Sequence, residues 1–195
     1  MLGHDARRDS LSEGVDELKF GRSAGRQTSD TLLCPVARNI VVQELGDAPS
    51  LGGLMILDPF ARNCEFAHPY TNDINPETTA ASHLDAEEWL RGLRETYHEE
   101  SFDGAILDPP FSAHQTKEIY GTPNLYANPA KIRTIEMLLG ELIIPGGKIV
   151  KFGYNSNYSH QAFECVGIQI VRYGGSINDM IISVHQRTIS GGWFS

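Results

Sequence analysis

The stretch Gly104-Ala105-Ile106-Leu107-Asp108-Pro109-Pro110-Phe111 decides how this chain is read. A short apolar run that ends on an acid, two prolines and an aromatic is a strand opening into a rigid turn. Proline lacks an N–H and has a fixed φ, so the turn holds the Pro109 carbonyl in place as an acceptor beside the Asp108 carboxylate. Two neighbouring acceptors suit the N–H groups of a planar amine, and the Phe111 ring offers a face on which a flat base can stack.

A second strand-end motif lies 50 residues earlier, where Leu54-Met55-Ile56 runs into Leu57-Asp58-Pro59-Phe60-Ala61-Arg62-Asn63. Two such motifs in this order imply one shared cleft at the carboxyl ends of neighbouring strands. Short apolar runs alternate with amphipathic stretches from Leu54 onward, the pattern of strand and crossover-helix units in a mostly parallel sheet. Strands are expected over 54–58, 70–73, 82–84, 102–107, 148–152, 167–172 and 180–185. Trp89, Leu90, Leu93 and Tyr97 mark the apolar face of one helix, and Ile132, Ile135, Leu138, Leu139 and Leu142 that of another. Thr28-Ser29-Asp30-Thr31 reads as the N-cap of an earlier helix that carries Pro35 in its first turn. Pro145-Gly146-Gly147 reads as the turn into a strand, and 173–178 as a link short enough for a hairpin.

The paired motifs resemble the amino-methylating branch of the S-adenosylmethionine-dependent methyltransferases, particularly the DNA adenine-N6 enzymes of phages and restriction systems. The resemblance spans roughly Phe20 to Arg187 and rests on the two short motifs. It implies an α/β fold with a seven-stranded, Rossmann-like, mostly parallel sheet that ends on an antiparallel hairpin. It also implies S-adenosylmethionine as cofactor and a catalytic turn of Asp108, Pro109, Pro110 and Phe111. The cofactor loop would open at Asp58, Pro59 and Phe60, and an N-terminal loop with Phe20 and Thr28 would reach the methionine moiety. Where the family places glycines, this chain has Arg62-Asn63-Cys64, and Asn63 is expected to supply the left-handed conformation in their stead. Only 61–69 separate the first two expected strands, so the first helix must be short or irregular.

Three acids fall where such a cofactor needs partners. Asp58 suits the methionine ammonium, Asp73 the ribose hydroxyls and Asp85 the adenine amine. The alternative reading of Asp73 and Asp85 is as helix N-caps, since Pro76-Glu77 and Ala86-Glu87 follow them. The polar, aromatic-bearing segment 112–126 reads as a substrate lid or as a surface loop, and Tyr154 or Asn155 as pocket-lining residues. The seven histidines have no metal-ligand spacing, and Cys34, Cys64 and Cys165 form no Cys-x-x-Cys pair, so no metal site is indicated.

Composition bounds the partners. The net charge of -9, from 16 basic against 25 acidic residues, argues against a broadly basic nucleic-acid face. Nucleic-acid binding, to DNA before RNA, then requires Arg22, Arg26, Lys117, Lys131 and Arg133 to gather at one cleft, or a homodimer or partner subunit to supply the grip. No apolar run reaches the 18 or so residues that cross a bilayer, and the N-terminus leads into no apolar signal segment. The expected location is the cytoplasm, that of the host if the protein is viral. Residues 1–17 read as a flexible polar arm and 18–195 as one methyltransferase domain without a separate target-recognition domain. The function implied is methylation of adenine N6 in DNA. Its alternatives are an RNA base enzyme acting on guanine N2 or adenine N6, and a silent binding subunit of the same fold.

Overall fold

The computed structural model describes residues 21–22, 31–46, 53–64, 66–110, 128–172 and 179–189. Its centre is a six-stranded sheet. In chain order the strands are β1 (Gly21–Arg22), β2 (Ile56–Leu57), β3 (Phe102–Leu107), β4 (Ile143–Gly153), β5 (Phe163–Arg172) and β6 (Met180–Arg187). Their spatial order is β1-β5-β6-β4-β3-β2, with β6 antiparallel to both β4 and β5 and the other three pairings parallel.

Among the described residues the α-helices are α1 (Pro35–Leu45), α2 (Ala86–Tyr97) and α3 (Pro129–Leu142). They cover opposite faces because the strand side chains alternate. Leu57, Ala105, Leu107 and Ile149 pack with Trp89 and Leu90 of α2 and with Ile135, Leu139 and Leu142 of α3. Ile56, Ile106, Val150, Phe152 and Ile182 pack with Ala37, Ile40, Val41 and Leu45 of α1. The helical spacings read in the sequence for α2 and α3 are thus the faces that meet the sheet.

Several expectations are corrected. The sheet is mixed, its two antiparallel ladders being the longest. Neither 70–73 nor 82–84 forms a strand; they are joined only by two isolated parallel bridges, Asp58 to Thr71 and Asn72 to Ser82. The reason is side-chain competition for the backbone. Asn72 Oδ1 accepts from Leu84 N at 3.0 Å and its Nδ2 donates to Leu84 O, replacing the ladder bonds a strand would make. Gly21–Arg22, read as part of no element, pairs with the end of β5. α1 starts at Pro35 rather than at the 28–31 signal, with Thr31–Leu33 as a 3-10 turn before it. A proline at the first helical position gives up an N–H that has no intrahelical partner there. Pro145-Gly146-Gly147 lies inside β4 as an irregularity, since Phe102 pairs with Ile143 but Gly104 with Lys148. Gly146 adopts φ +83 there, and a Cβ on Gly147 would come 2.7 Å from the Asp103 carbonyl. No helix lies between β2 and Thr71 among the described residues, in keeping with the short connection.

Candidate active site

β3 carries the apolar run to its carboxyl end between β2 and β4, and Asp108-Pro109-Pro110 leaves the sheet there. Pro109 is buried, whereas Asp108 and Pro110 are partly exposed, so the turn opens from the core toward solvent. Phe111, the 112–126 segment, Phe20 and Thr28 lie outside the described residues.

On the β2 side the chain turns sharply at Asp58-Pro59-Phe60. Asp58 is 2% exposed and its Oδ1 accepts from Phe60 N at 3.1 Å, which closes the turn. Its backbone is held on both sides by residues 70–72, with Asp58 N donating to Tyr70 O and Asn72 N to Asp58 O. Pro59 and Phe60 are buried beneath this turn, and Asn72 Nδ2 also donates to Pro59 O at 3.3 Å. The acid therefore shapes the loop first.

Asp73 sits behind that loop and is 1% exposed. Its Oδ2 accepts from Arg62 N at 3.2 Å and its Oδ1 from Asn75 N at 2.9 Å. Residues 74–80 form turns and not a helix, so Asp73 caps a turn. The left-handed residue of the loop is Arg62, at φ +53, and not Asn63 as the sequence suggested. The Arg62 N–H given to a carboxylate offsets a strain of about 1–2 kcal/mol. Asn63 instead accepts from Thr79 N at 3.2 Å through its side chain.

Asp85 is the N-cap of α2, accepting from Glu87 N at 3.1 Å, as the plainer of its two sequence readings held. Its other oxygen receives Lys131 Nζ at 2.7 Å, and its side chain is 23% exposed, the most open of the three acids. This pair draws Lys131 away from the set of cations that a polyanion would need. β1, with Arg22, lies at the sheet edge opposite β2.

A polar cluster missed by the sequence reading lies beside the turn on the β4 side. Leu107 pairs with Lys151, so Lys151 sits one residue short of the level of Asp108. Lys151 and Glu136 of α3 are both buried, with Nζ 2.6 Å from Oε1. Lys151 also donates to Asn157 O, Tyr158 OH donates to Glu136 O at 2.7 Å, and Ser159 donates to Glu136 Oε2 through both N and Oγ. Tyr158 stacks on His185 at 5.1 Å, and His185 Nε2 is 2.9 Å from Ser183 Oγ. Burial, then the nearby Lys151 charge, pushes the His185 imidazole down to about 4 against an opposing pull from Glu136. Burial, then Glu136, raises the Tyr158 phenol well above its ordinary range. The available signal was a lysine at an inward position of the Ile149-Val150-Lys151-Phe152 strand, which demands a buried partner.

Among the described residues no group of three or more His, Cys, Asp or Glu could hold a metal ion, and no helix is long and apolar enough to cross a membrane.

No protein-family model and no curated protein sequence matches the chain. Solved structures do. SMU.776, a protein assigned as a methyltransferase and crystallised with SAH, superposes with a TM-score of 0.50 at 11% identity, over 76% of this chain and 48% of that one. TrmN from Thermus thermophilus gives a TM-score of 0.49 at 15% identity, over 78% of this chain and 48% of TrmN. The yhhF protein of Escherichia coli, also assigned as a methyltransferase, gives 0.48 at 10% identity, over 77% and 83% of the two chains. The chain spans about half the length of SMU.776 and of TrmN. It has a methyltransferase-like α/β fold.

Proposed function

We propose that this protein is an S-adenosylmethionine-dependent methyltransferase acting on an exocyclic base amine, adenine N6 in DNA being the preferred target. The observation that carries the reading is the Asp108-Pro109-Pro110 turn at the carboxyl end of β3, flanked on its β2 side by Asp58, Asp73 and Asp85. The donor set suits the cofactor where present partners can be exchanged: three carboxylates follow successive positions along one edge, for an ammonium, a ribose diol and an aromatic amine. Asp58 would take the ammonium through the oxygen that does not close its turn, and Asp85 the adenine amine in place of Lys131 Nζ. Asp73 would take the ribose once the Arg62 N–H is exchanged for a hydroxyl.

When bound, the cofactor supplies an activated methyl group, so the protein needs neither a metal nor a strong base. Its task is alignment and exclusion of water. The Asp108 carboxylate and Pro109 carbonyl accept the two amine N–H groups, draw the nitrogen toward tetrahedral geometry and stabilise the positive charge that develops. The proton leaves afterwards. A paired base cannot reach this turn, so the target is flipped out or single-stranded, stacking on Phe111. With Lys131 paired to Asp85, DNA is held with the help of a second copy or a partner subunit, or the recognition site is short.

A second reading has one observation in its favour. Asp73 is sealed by the Arg62 and Asn75 N–H groups, as it would be in a silent relative that kept the fold without the cofactor. Calorimetric titration with S-adenosylmethionine separates the two, because a silent relative takes up none.

The decisive experiment is transfer of labelled methyl to DNA and RNA, with the product nucleoside identified by mass spectrometry. N6-methyladenine in DNA is expected, with Asp108→Ala lowering the rate by about 10²–10³-fold while cofactor binding persists. A methylated guanine, or product in RNA alone, moves the assignment to an RNA enzyme. Absence of product with every nucleic acid rejects the reading.

A further inference from the structure

β4 and β5 run parallel with β6 between them, yet the chain joins them through only nine residues, 154–162, without a helix. Parallel connections ordinarily take about a dozen residues or more and cover the sheet with a helix. Here the crossover is irregular, and α3 and β4 hold it from Asn157 to His160. Lys151 Nζ holds the Asn157 carbonyl at 2.5 Å, Glu136 holds Ser159 through two bonds, and Tyr158 reaches the Glu136 carbonyl. Further along, the His160 ring fills the space over Gly140 of α3, where a Cβ would come 2.4 Å from it.

The place of this clamp matters. β3 stands between β2 and β4, so Asp58, Asp73 and Asp85 lie on one side of Asp108 and the exit of β4 on the other. Tyr154, 43% exposed, and Asn155 leave the sheet at the same edge as Asp108, just beyond the Leu107–Lys151 pairing. If the cofactor occupies the acid-lined side, the base must enter from the β4 side, against 154–157.

We propose that the buried Glu136–Lys151 pair and its bonds to Asn157, Tyr158 and Ser159 are a positioning device that fixes residues 154–157 as the wall of the pocket for the acceptor base. This rests on the methyltransferase reading above. The pair touches neither reactant; it acts through the crossover backbone. A buried ion pair whose charged atoms all carry hydrogen bonds rigidifies what it holds, whereas surface loops of this length otherwise wander.

The test uses the full chain and the oligonucleotide that the unaltered protein methylates. Tyr158→Phe and Ser159→Ala each remove a hydroxyl from the clamp without stranding a buried charge, and Ser159→Thr restores one. The expected result is a KM for the oligonucleotide raised about tenfold, since a misplacement well under 1 Å is felt at that level. KM for S-adenosylmethionine stays unchanged, and Ser159→Thr returns to the unaltered value. If the two KM values rise together in step with a lower Tm, or if the oligonucleotide KM does not move, the clamp is structural only and the proposal fails by itself. If the unaltered protein methylates no oligonucleotide, the methyltransferase reading fails first and takes this proposal with it.

Discussion

Lys151 Nζ lies 2.6 Å from Glu136 Oε1 with both side chains shut away from water, on the face of the sheet covered by α2 and α3. Desolvation makes such a pair a modest net stabiliser but a severe loss when only one member is removed. Lys151→Met is expected to lower the unfolding free energy by about 3–5 kcal/mol in urea titrations. Adding Glu136→Gln to it should cost less than the sum of the two single changes, because no charge is then left alone. A Lys151→Met protein within about 1 kcal/mol of the original would mean that water already reaches the pair.

Gly140 tests the crossover packing from the opposite side. Alanine is the better helix former by about 1 kcal/mol, so on propensity Gly140→Ala should stabilise α3. The Cβ, however, would lie 2.4 Å from the His160 ring. We expect a net loss of about 1–3 kcal/mol, of the size typical for overpacking. His160→Ala in the same chain should reverse most of it. Additive single changes would show that the ring does not rest on that helix.

His185 makes stability depend on pH with a definite sign. Its folded value, about 4, lies below the ordinary 6.5, so between those limits the unfolded chain binds the proton and the folded chain does not. Stability is therefore full above pH 6.5 and falls as the pH drops toward about 4, by on the order of 3 kcal/mol from this residue. The groups facing the ring are Lys151, Glu136, Tyr158 and the Ser183 hydroxyl. Comparing denaturation of the original and His185→Gln between pH 7 and pH 4.5 isolates the effect. An identical slope in both proteins would assign the acid sensitivity to carboxylates.

Arg62 carries the left-handed strain of the loop after β2. Arg62→Gly keeps the N–H that Asp73 accepts and removes the Cβ penalty of about 1 kcal/mol. Glycine's greater freedom when unfolded offsets part of that gain, so a change of no more than about 1 kcal/mol in either direction is expected. Arg62→Pro, which lacks the N–H and cannot reach φ +53, should lose about 3 kcal/mol or more, as measured by thermal unfolding.

The sequence made some elements plain because their signals are local. α2 and α3 follow from apolar residues at helical spacing, and β3 and the β5–β6 pair from compact apolar runs with turn residues between them. Asp85 as a helix cap was legible from the residues that follow it. By contrast, 70–73 and 82–84 have strand-like neighbours and still form only bridges. The deciding bonds are those of Asn72 to Leu84, which join positions twelve apart through a side chain that no period describes.

The candidate site divides in the same way. The chemistry proposed for it rests on consecutive residues: Asp58-Pro59-Phe60 and Asp108-Pro109-Pro110 each end a run of apolar side chains, and strand periodicity alone carries them to an edge. What needed the tertiary structure was the direction in which each group is spent. Asp73 turns inward to the Arg62 and Asn75 N–H groups, and Lys131 is claimed by Asp85 across 46 residues. Lys151, Glu136, Tyr158 and His185 form one cluster only because α3, β4, β6 and the β4–β5 crossover converge there. Local pattern fixes which side chains face inward, since that depends on backbone geometry over a few residues. Which buried charge finds which partner depends on chain segments far apart in sequence, and folding alone brings those together.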